Sequence, residues 1–385
     1  MILRPLLLFL IGLVFYPALG LCYTIHVGLL LDLSGPGSFA GQAAAETARL
    51  AVEQLNRSKH GRNIQLELHI LDTEGSRAIL LENLKELTEV YRVTCIIGTV
   101  HPALARSLRI YSEANNKLAI LTSGEEPLVP TRGGYPVVWS FGTFIPRTAS
   151  MKALCRALKK NGISPVGIMA PQGAWGEQVA LWLYGYASEF GLPVVGMEYY
   201  DLGDVDGVAQ MRALKYKGAK LALVWGPRTW FSTLLHSSLE VGLPAAVPVN
   251  MIQSDEMDPL AATTGMISVL PPVVMDKWVP YGHPCRQSVR RYRQALFEQA
   301  SFFSMEEHLV AGAVWDALNL LYKAALEAEH LTSYGIRDSL EKMQEPFYGV
   351  MGVFRPRKGD HVGLRYNSLI VAKRDGRRWR LLKKR

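Results

Sequence analysis

A glycine-rich loop near the start of the chain is the segment most suggestive of ligand binding. It runs from Asp32 to Gly41 with the sequence DLSGPGSFAG, and it links an apolar segment to the first helical pattern. Gly35, Gly37 and Gly41 nearly match the G-x-G-x-x-G fingerprint of dinucleotide sites, but the last interval is one residue too long. No cofactor is therefore predicted. Because ligands of open α/β sheets bind beyond the carboxyl ends of the strands, this loop, with Phe39, is predicted to face a cleft.

Other side chains follow predicted strands and would border the same cleft. His101 lies at a strand-to-helix junction, and Glu125 follows a strand end. Trp175 and Arg228 fall at or beyond strand ends in the second half of the chain. The alternatives are a surface histidine, an acid at a helix N-terminus and a tryptophan buried in the core. At a strand-end cleft, aromatic walls would suit a small organic ligand.

The motifs of common hydrolases and metal sites are absent from the sequence. It contains no Gly-x-Ser-x-Gly elbow and no His-Glu-x-x-His. The nine histidines are dispersed, and no cysteine or histidine cluster has zinc spacing. Asp255, Glu256 and Asp258 lack the glycine and the distal glutamate of a calcium loop. The sequence predicts no metal site and no enzyme. A Rossmann-like enzyme stays a minor alternative, which turnover of a bound small molecule would support.

The elements that would position these residues alternate between strand and helix. Helical stripes have apolar residues at intervals of three and four, and the strands are short apolar or alternating runs. In the first part of the chain, the predicted strands are 24–33, 64–71, 95–97 and 118–121, and the predicted helices are 44–55, 80–91 and 102–114. This order predicts a parallel sheet with helices on both faces.

The same order recurs after residue 164 and predicts a second lobe. The predicted strands cover 165–170, 193–199, 220–225 and 247–252. The predicted helices cover 175–190, 207–216, 229–241, 286–300, 305–327 and 334–343. Asp375-Gly376 predicts the turn of a hairpin near the end of the chain. The fold class is therefore α/β, with two Rossmann-like doubly wound lobes, a hinge and an interlobe cleft. Crossings near residues 140, 265 and 345 divide the chain into lobe 1 (21–142 with 266–345) and lobe 2 (143–265 with 346–385).

Residues 1–20 are predicted to be a secretory signal peptide. Arg4 precedes a short apolar run, and Ala18 and Gly20 form a small-x-small cleavage site. The run is shorter than a membrane span requires. The mature chain is therefore expected in the periplasm or elsewhere outside the cytoplasm. Cys22 is a candidate lipoprotein cysteine, although the bulky residue before it fits that motif poorly.

The remaining cysteines are widely spaced in the sequence. Cys95 precedes an apolar pair in a predicted buried strand, which favours a buried free thiol. In an oxidising compartment one disulfide among Cys22, Cys95, Cys155 and Cys285 is also possible, and the sequence does not select a pair.

The net charge is concentrated in two short segments. The 385 residues include 42 Lys+Arg and 34 Asp+Glu, a formal net charge of +8, and the 49% hydrophobic content excludes a disordered chain. Eight basic residues and one aspartate lie within 373–385, and Arg4 carries one charge of the leader, so the body is neutral. A neutral body is a poor nucleic-acid binder, and no nucleic acid is predicted as a partner. The basic tail is a candidate for contact with an anionic membrane surface.

Five short motifs, in the expected order along the chain, resemble those of a known family. They are Ser34-Gly35-Pro36 with Gly41, Ile96-Ile97-Gly98, Ala174-Trp175-Gly176, Trp315-Asp316-Ala317, and FYGVMGVF from residue 347 followed by Gly359-Asp360. The chain resembles the solute-binding proteins of ABC importers in the Leu/Ile/Val-binding group, which have the type I periplasmic binding fold.

The resemblance implies two lobes that close on a small ligand and present it to the permease subunits of an ABC importer. By position, the ligand contacts would be His101, Ser123, Gly124, Glu125, Trp175, Arg228, Gln253 and Trp315, with Phe39 in the first loop. Amino-acid binders of this group usually have a hydroxyl residue at the position of His101, and Glu125 would repel a carboxylate. The expected ligand is an amino acid, an amide, a polyamine-like cation or another small metabolite. The alternative is a ligand sensor of the same fold that works with a separate signalling partner.

Overall fold

The first lobe is built on a five-stranded parallel sheet in which the strands follow the order β2-β1-β3-β4-β5. The computed structural model describes residues 22–35, 37–58, 63–124, 128, 137–252, 265–296, 303–376 and 378–382. The elements of this sheet and its helices are β1 (Tyr23–Leu31), α1 (Ser38–Arg57), β2 (Ile64–Asp72), α2 (Arg77–Glu89), β3 (Cys95–Gly98), α3 (Pro102–Asn115), β4 (Ala119–Leu121) and β5 (Ser140–Gly142).

The second lobe repeats this topology in its parallel strands. Its elements are α4 (Arg147–Lys160), β6 (Val166–Pro171), α5 (Ala174–Glu189), β7 (Val194–Tyr200), α6 (Val208–Tyr216), β8 (Ala222–Val224), α7 (Phe231–Val241), β9 (Ala245–Pro248) and β10 (Ile267–Leu270). The parallel strands lie in the order β7-β6-β8-β9-β10, which matches β2-β1-β3-β4-β5 of the first lobe. Both lobes are therefore doubly wound, and each changes strand order beside its first strand.

The last third of the chain completes both lobes. It contains α8 (Pro272–Met275), α9 (Arg286–Ala295), α10 (Met305–Glu327), α11 (Ser333–Glu341), β11 (Phe347–Tyr348), β12 (Val353–Phe354), β13 (Ile370–Asp375) and β14 (Arg378–Leu381). The strands β13 and β14 extend the second sheet in antiparallel fashion beside β10, and β11 and β12 form a separate small hairpin.

The helix α10 lies in the core of the first lobe. It packs along α1, whose buried face is rich in alanine, and small side chains let two helices approach closely. Among the described helices, α10 alone is long and apolar enough to cross a membrane by length and composition. Most of its surface is buried inside the protein, which identifies it as a core helix.

The structure confirms the predicted α/β fold and differs from the predicted elements in several places. The short strands β5 and β10 and the helix α4 lie in segments where the sequence predicts no element. The predicted strand 247–252 ends at Pro248, which lacks an N–H donor, and continues as a short 3-10 turn. Because β10 pairs with β9 and β13, the crossing back to lobe 1 follows Leu270, beyond the predicted boundary at 265.

The four cysteines are unpaired in the structure. Cys95, Cys155 and Cys285 are buried, so the buried-thiol prediction for Cys95 is confirmed, and Cys22 is exposed. Burial raises the pKa of all three buried thiols. The predicted signal peptide lies outside the described residues.

Candidate functional site

A cavity of about 470 Å³ lies between the two lobes. Its walls come from the segments that follow β3, β4 and β5 in one lobe and β6, β8 and β9 in the other, together with the start of α10. Both sheets therefore direct the carboxyl ends of their strands at one space, which is where open α/β sheets bind ligands.

Five of the nine predicted ligand contacts line this cavity. They are His101, Ser123, Gly124, Trp175 and Arg228. These five residues lie after three different strands and at the start of α5. Because they are far apart in the chain, no local sequence pattern includes all of them.

The other four predicted contacts are not placed at the cavity. Phe39 is 77% exposed at the start of α1, and Trp315 is buried in the core, where its ring meets that of Tyr292 edge-on at 5.4 Å. Trp315 lies more than one helical turn beyond the residues of α10 that line the cavity, because those residues end at Val310. Glu125 and Gln253 lie outside the described residues.

A buried carboxylate lies beside His101 at the edge of the cavity. The Oδ2 atom of Asp32, which follows β1, lies 3.2 Å from Nε2 of His101. The hydroxyl of Thr73 donates a hydrogen bond to the other carboxylate oxygen. A Cβ atom on Gly37 would lie 2.8 Å from Asp32 Oδ2 and 2.9 Å from His101 Nε2. The glycine-rich loop therefore closes over this pair, and Gly37 has to lack a side chain.

Two glycines bring the helix that follows the first strand of each lobe against the end of that strand. A Cβ atom on Gly41 would lie 1.9 Å from the carbonyl oxygen of Asp32, and one on Gly176 would lie 1.7 Å from that of Pro171. Both distances are far below van der Waals contact. The third glycine of the loop thus provides close helix–strand packing, as in the dinucleotide fingerprint, despite the extra residue before it.

The hydroxyl of Ser123 is available to a ligand. Its Oγ atom is buried and has no hydrogen-bond partner among the described residues, whereas the neighbouring Thr122 donates to the carbonyl of Thr99 at 2.8 Å. A buried hydroxyl without a partner costs about 1–3 kcal/mol, which a ligand acceptor or donor would recover. Asp32, His101 and Ser123 are residue types of a hydrolytic triad, but Ser123 makes no hydrogen bond to the imidazole.

An ion pair crosses the cavity from one lobe to the other. The Nη1 atom of Arg228, which follows β8, lies 2.9 Å from Oε2 of Glu306 in the first turn of α10. An acid in the first turn is favoured by the helix dipole. Ser304 and Glu307 form a complete capping box at this helix start, which fixes the direction of α10 toward the cavity.

Comparison with known proteins agrees with this architecture. Residues 24–376 match the sequence family described as periplasmic binding protein. The chain belongs to the periplasmic binding protein family. The predicted resemblance to type I periplasmic binding proteins is thereby confirmed. A comparison with curated protein sequences gives no significant match.

Solved periplasmic binding proteins have the same fold. A type 1 periplasmic binding protein from Bordetella pertussis Tohama I is 18% identical with a TM-score of 0.69, covering 93% of this chain and 99% of that one. A leucine-binding protein from Thermotoga maritima is 16% identical with a TM-score of 0.67, covering 93% of this chain and 97% of that one. An ABC-transporter solute-binding protein from Rhodopseudomonas palustris, in complex with benzoate, is 16% identical with a TM-score of 0.64, covering 93% and 95%. At such identities the likeness shows the fold.

Several cavity residues of this periplasmic binding protein are not predicted from the sequence. Phe144 and Ile145 follow β5, a strand that is too short to show a hydrophobic period in the sequence. The start of β5 is fixed by the Glu113 carboxylate, which accepts hydrogen bonds from the backbone N–H groups of Val138, Trp139 and Ser140. Asn250 follows β9, and Glu306 begins α10. The Ser-x-x-Glu capping signal at 304–307 marks this helix start and could have pointed to Glu306.

Proposed function

We propose that this chain is an extracytoplasmic solute receptor that closes its lobes on a small ligand and delivers it to the permease of an ABC importer. The observation that carries the proposal is the interlobe cavity, to which both sheets contribute the segments after their strands. A ligand there would touch Ser123 and His101 of one lobe and Trp175 and Arg228 of the other. Because all these contacts form together only when the lobes are close, the ligand favours the closed state through its differential affinity.

The cavity lining favours a small organic acid with an apolar body. Most of the wall is apolar, from Phe144, Ile145, Trp175 and the aliphatic residues of 249–252 and 309–310. The polar groups are few and separate, as in most small-molecule sites. Arg228 carries a planar guanidinium cation, which suits a carboxylate, and its Nη1 lies 2.9 Å from Oε2 of Glu306 at the cavity. Two of the solved relatives are described as a leucine-binding protein and a benzoate complex, and both molecules combine a carboxylate with an apolar body.

A ligand panel tests the proposal. The mature chain from Leu21 is mixed with branched aliphatic and aromatic carboxylates, amino acids, amides and polyamines, and the melting temperature is recorded. We expect one chemical class to raise the melting temperature, since a ligand that binds only the folded state stabilises it. The same ligand should reduce the radius of gyration in small-angle scattering. If no class shifts either quantity, the receptor function is contradicted.

Site variants show whether the ligand occupies this cavity. Ser123→Ala and Trp175→Ala should each weaken binding at least about 10-fold, because each removes a contact on one lobe. Trp278→Ala, which removes an exposed tryptophan outside the cavity lining, is the matched control and should leave binding unchanged. Equal losses in the control and the site variants would place the ligand elsewhere.

Location outside the cytoplasm is part of the same proposal. It is supported by the family and by the predicted signal peptide of residues 1–20. Fractionation of expressing cells should recover a processed chain from the periplasm. Fatty-acid labelling that is lost in Cys22→Ser would show lipidation, and labelling that is absent from the wild type would exclude it.

A further inference from the structure

Two histidines and a glutamate meet on the first sheet, away from the cleft. His26 lies on β1, and Glu67 and His69 lie on β2. His26 is the register partner of Glu67, and His69 is two residues further along, so all three side chains share one face of the sheet. His26 is five residues before Leu31, the end of β1 nearest the cleft, which is about 16 Å along the strand.

The potential ligand atoms of the three residues lie close together. Nδ1 of His26 lies 3.0 Å from Nε2 of His69, and the carboxylate of Glu67 lies 3.8 Å from the first nitrogen and 3.7 Å from the second. In a tetrahedral zinc site with bonds of about 2.0–2.1 Å, ligand atoms are roughly 3.3 Å apart. The observed distances lie on either side of that value, so no large movement is needed to place an ion between the three side chains.

Neighbouring rings hold the histidines in place. The ring of His69 stacks on Tyr91 at 4.4 Å between centroids and on His26 at 5.3 Å. The side chain of His69 is only 14% exposed, whereas those of His26 and Glu67 are 41% and 55% exposed. The deepest ligand is therefore restrained before binding, and the open side leaves a coordination position for water.

We propose that His26, Glu67 and His69 form a binding site for a divalent transition metal of the Zn²⁺ type. Two imidazoles and one carboxylate are a common three-ligand zinc set, and imidazole donors disfavour Mg²⁺ and Ca²⁺. A bound ion would link the edge strand β2 to β1. The ligands were not evident from the sequence because His26 and His69 are 43 residues apart and meet only through the register of two strands.

The competing arrangement is a hydrogen bond between the two imidazoles. At 3.0 Å, one ring can donate its N–H to the other. A metal requires both nitrogens to present lone pairs, so the hydrogen bond and the ion exclude each other. Direct titration with the metal distinguishes the two arrangements.

The experiment is calorimetric titration of the mature chain, without a histidine tag, with Zn²⁺ alone. We expect one site per chain, and we expect His69→Gln and Glu67→Gln each to weaken binding at least about 10-fold. Glu67 is exposed, so its replacement keeps the fold. His330→Ala is the matched control: His330 also lies beside a glutamate, Glu329 at 3.9 Å, but no third ligand joins them in the described structure.

The outcomes separate the metal site from adventitious binding. Visible absorption bands of bound Co²⁺ in the wild type, absent in His69→Gln, would support direct histidine coordination. Zn²⁺ binding that is equally tight in the wild type and in a His26→Gln/His69→Gln double variant would overturn the proposal. A loss of Zn²⁺ affinity in His330→Ala as large as that in His69→Gln would also overturn it. Solute binding at the interlobe cavity is measured separately, so the two proposals can fail independently.

Discussion

Single glycines set how closely helix and sheet approach in both lobes. Gly41 and Gly176 occupy corresponding positions at the starts of α1 and α5, each against the carbonyl that ends the first strand of its lobe. Gly37 is restricted for a different reason, because it touches the Asp32–His101 pair. The glycine-rich loop of this protein thus provides close packing beside His101, a histidine that lines the cavity.

Gly41→Ala should destabilise the protein by about 1–3 kcal/mol, since its Cβ atom must displace backbone. Gly185→Ala is the control, because Gly185 lies inside α5 with nothing within 4 Å of a Cβ atom. That change should stabilise the protein by about 0.5–1 kcal/mol through helix propensity. Urea unfolding of both variants measures the difference. Equal stability would show that α1 moves freely away from β1.

Asp316 is a buried acid that should make stability depend on pH. Burial raises its pKa to about 7, although the backbone N–H groups of Met351 and Val350 donate to it, each at 2.8 Å, and oppose that increase. The pKa in the unfolded chain is about 3.9. Between these values the folded protein holds a proton that the unfolded chain releases, so this group's contribution to stability falls as pH rises from about 4 to 7.

Asp316→Asn removes this titration and keeps the shape of the side chain. The free energy of unfolding of the wild type should fall relative to the variant as pH rises from 4 to 7, by at most about 1.4 kcal/mol per pH unit. Denaturant unfolding at several pH values measures the difference. A difference that is flat or rises with pH would mean that Asp316 is ionised throughout.

The helix α10 connects the core, the cavity and the crossing between lobes. Its body packs against α1, its first turn carries Glu306, and Asp316 binds the backbone of residues 350–351. Its start is determined locally by the Ser304–Glu307 capping box. Its role in the cavity depends on the second lobe, which supplies Arg228.

Ser304→Ala should cost about 1 kcal/mol of stability and weaken ligand binding, because the first turn of α10 lines the cavity. Thr332→Ala is the matched control, since Thr332 caps α11 by accepting from the Gly335 N–H at 3.2 Å, away from the cavity. Both variants should lose stability in thermal unfolding, and only Ser304→Ala should lose affinity. Loss of affinity in both would point to a general effect of instability.

At the scale of the whole molecule, two lobes of the same topology face each other across one cavity. The Arg228–Glu306 pair spans it, and both side chains are partly exposed. Partly exposed pairs are worth about 0.2–1 kcal/mol, enough to shift a balanced equilibrium between open and closed lobes but not to lock it. Contact of the basic tail with a membrane surface remains a prediction, because residues 383–385 lie outside the described structure.

Glu306→Gln should increase the radius of gyration of the ligand-free protein, since it removes the charge that holds the lobes together. Glu240→Gln is the control: it breaks an exposed pair with Arg212, 2.7 Å long, within the second lobe. Small-angle scattering at low ionic strength compares the two variants, and high salt should reduce the effect. An unchanged radius in Glu306→Gln would show that the pair has no influence on closure.

Local patterns in the sequence determined most of the elements and, through their order, the two-lobed α/β fold. The third glycine of the first loop and the Ser304 cap could be found in this way because helix starts and close packing depend on neighbouring residues. Only the tertiary structure placed Trp315 in the core, β10 in the second sheet and Glu306 against Arg228. It also brought His26 to His69. These contacts join residues far apart in the chain, and strand register and lobe packing, which local periodicity does not encode, decide which side chains meet.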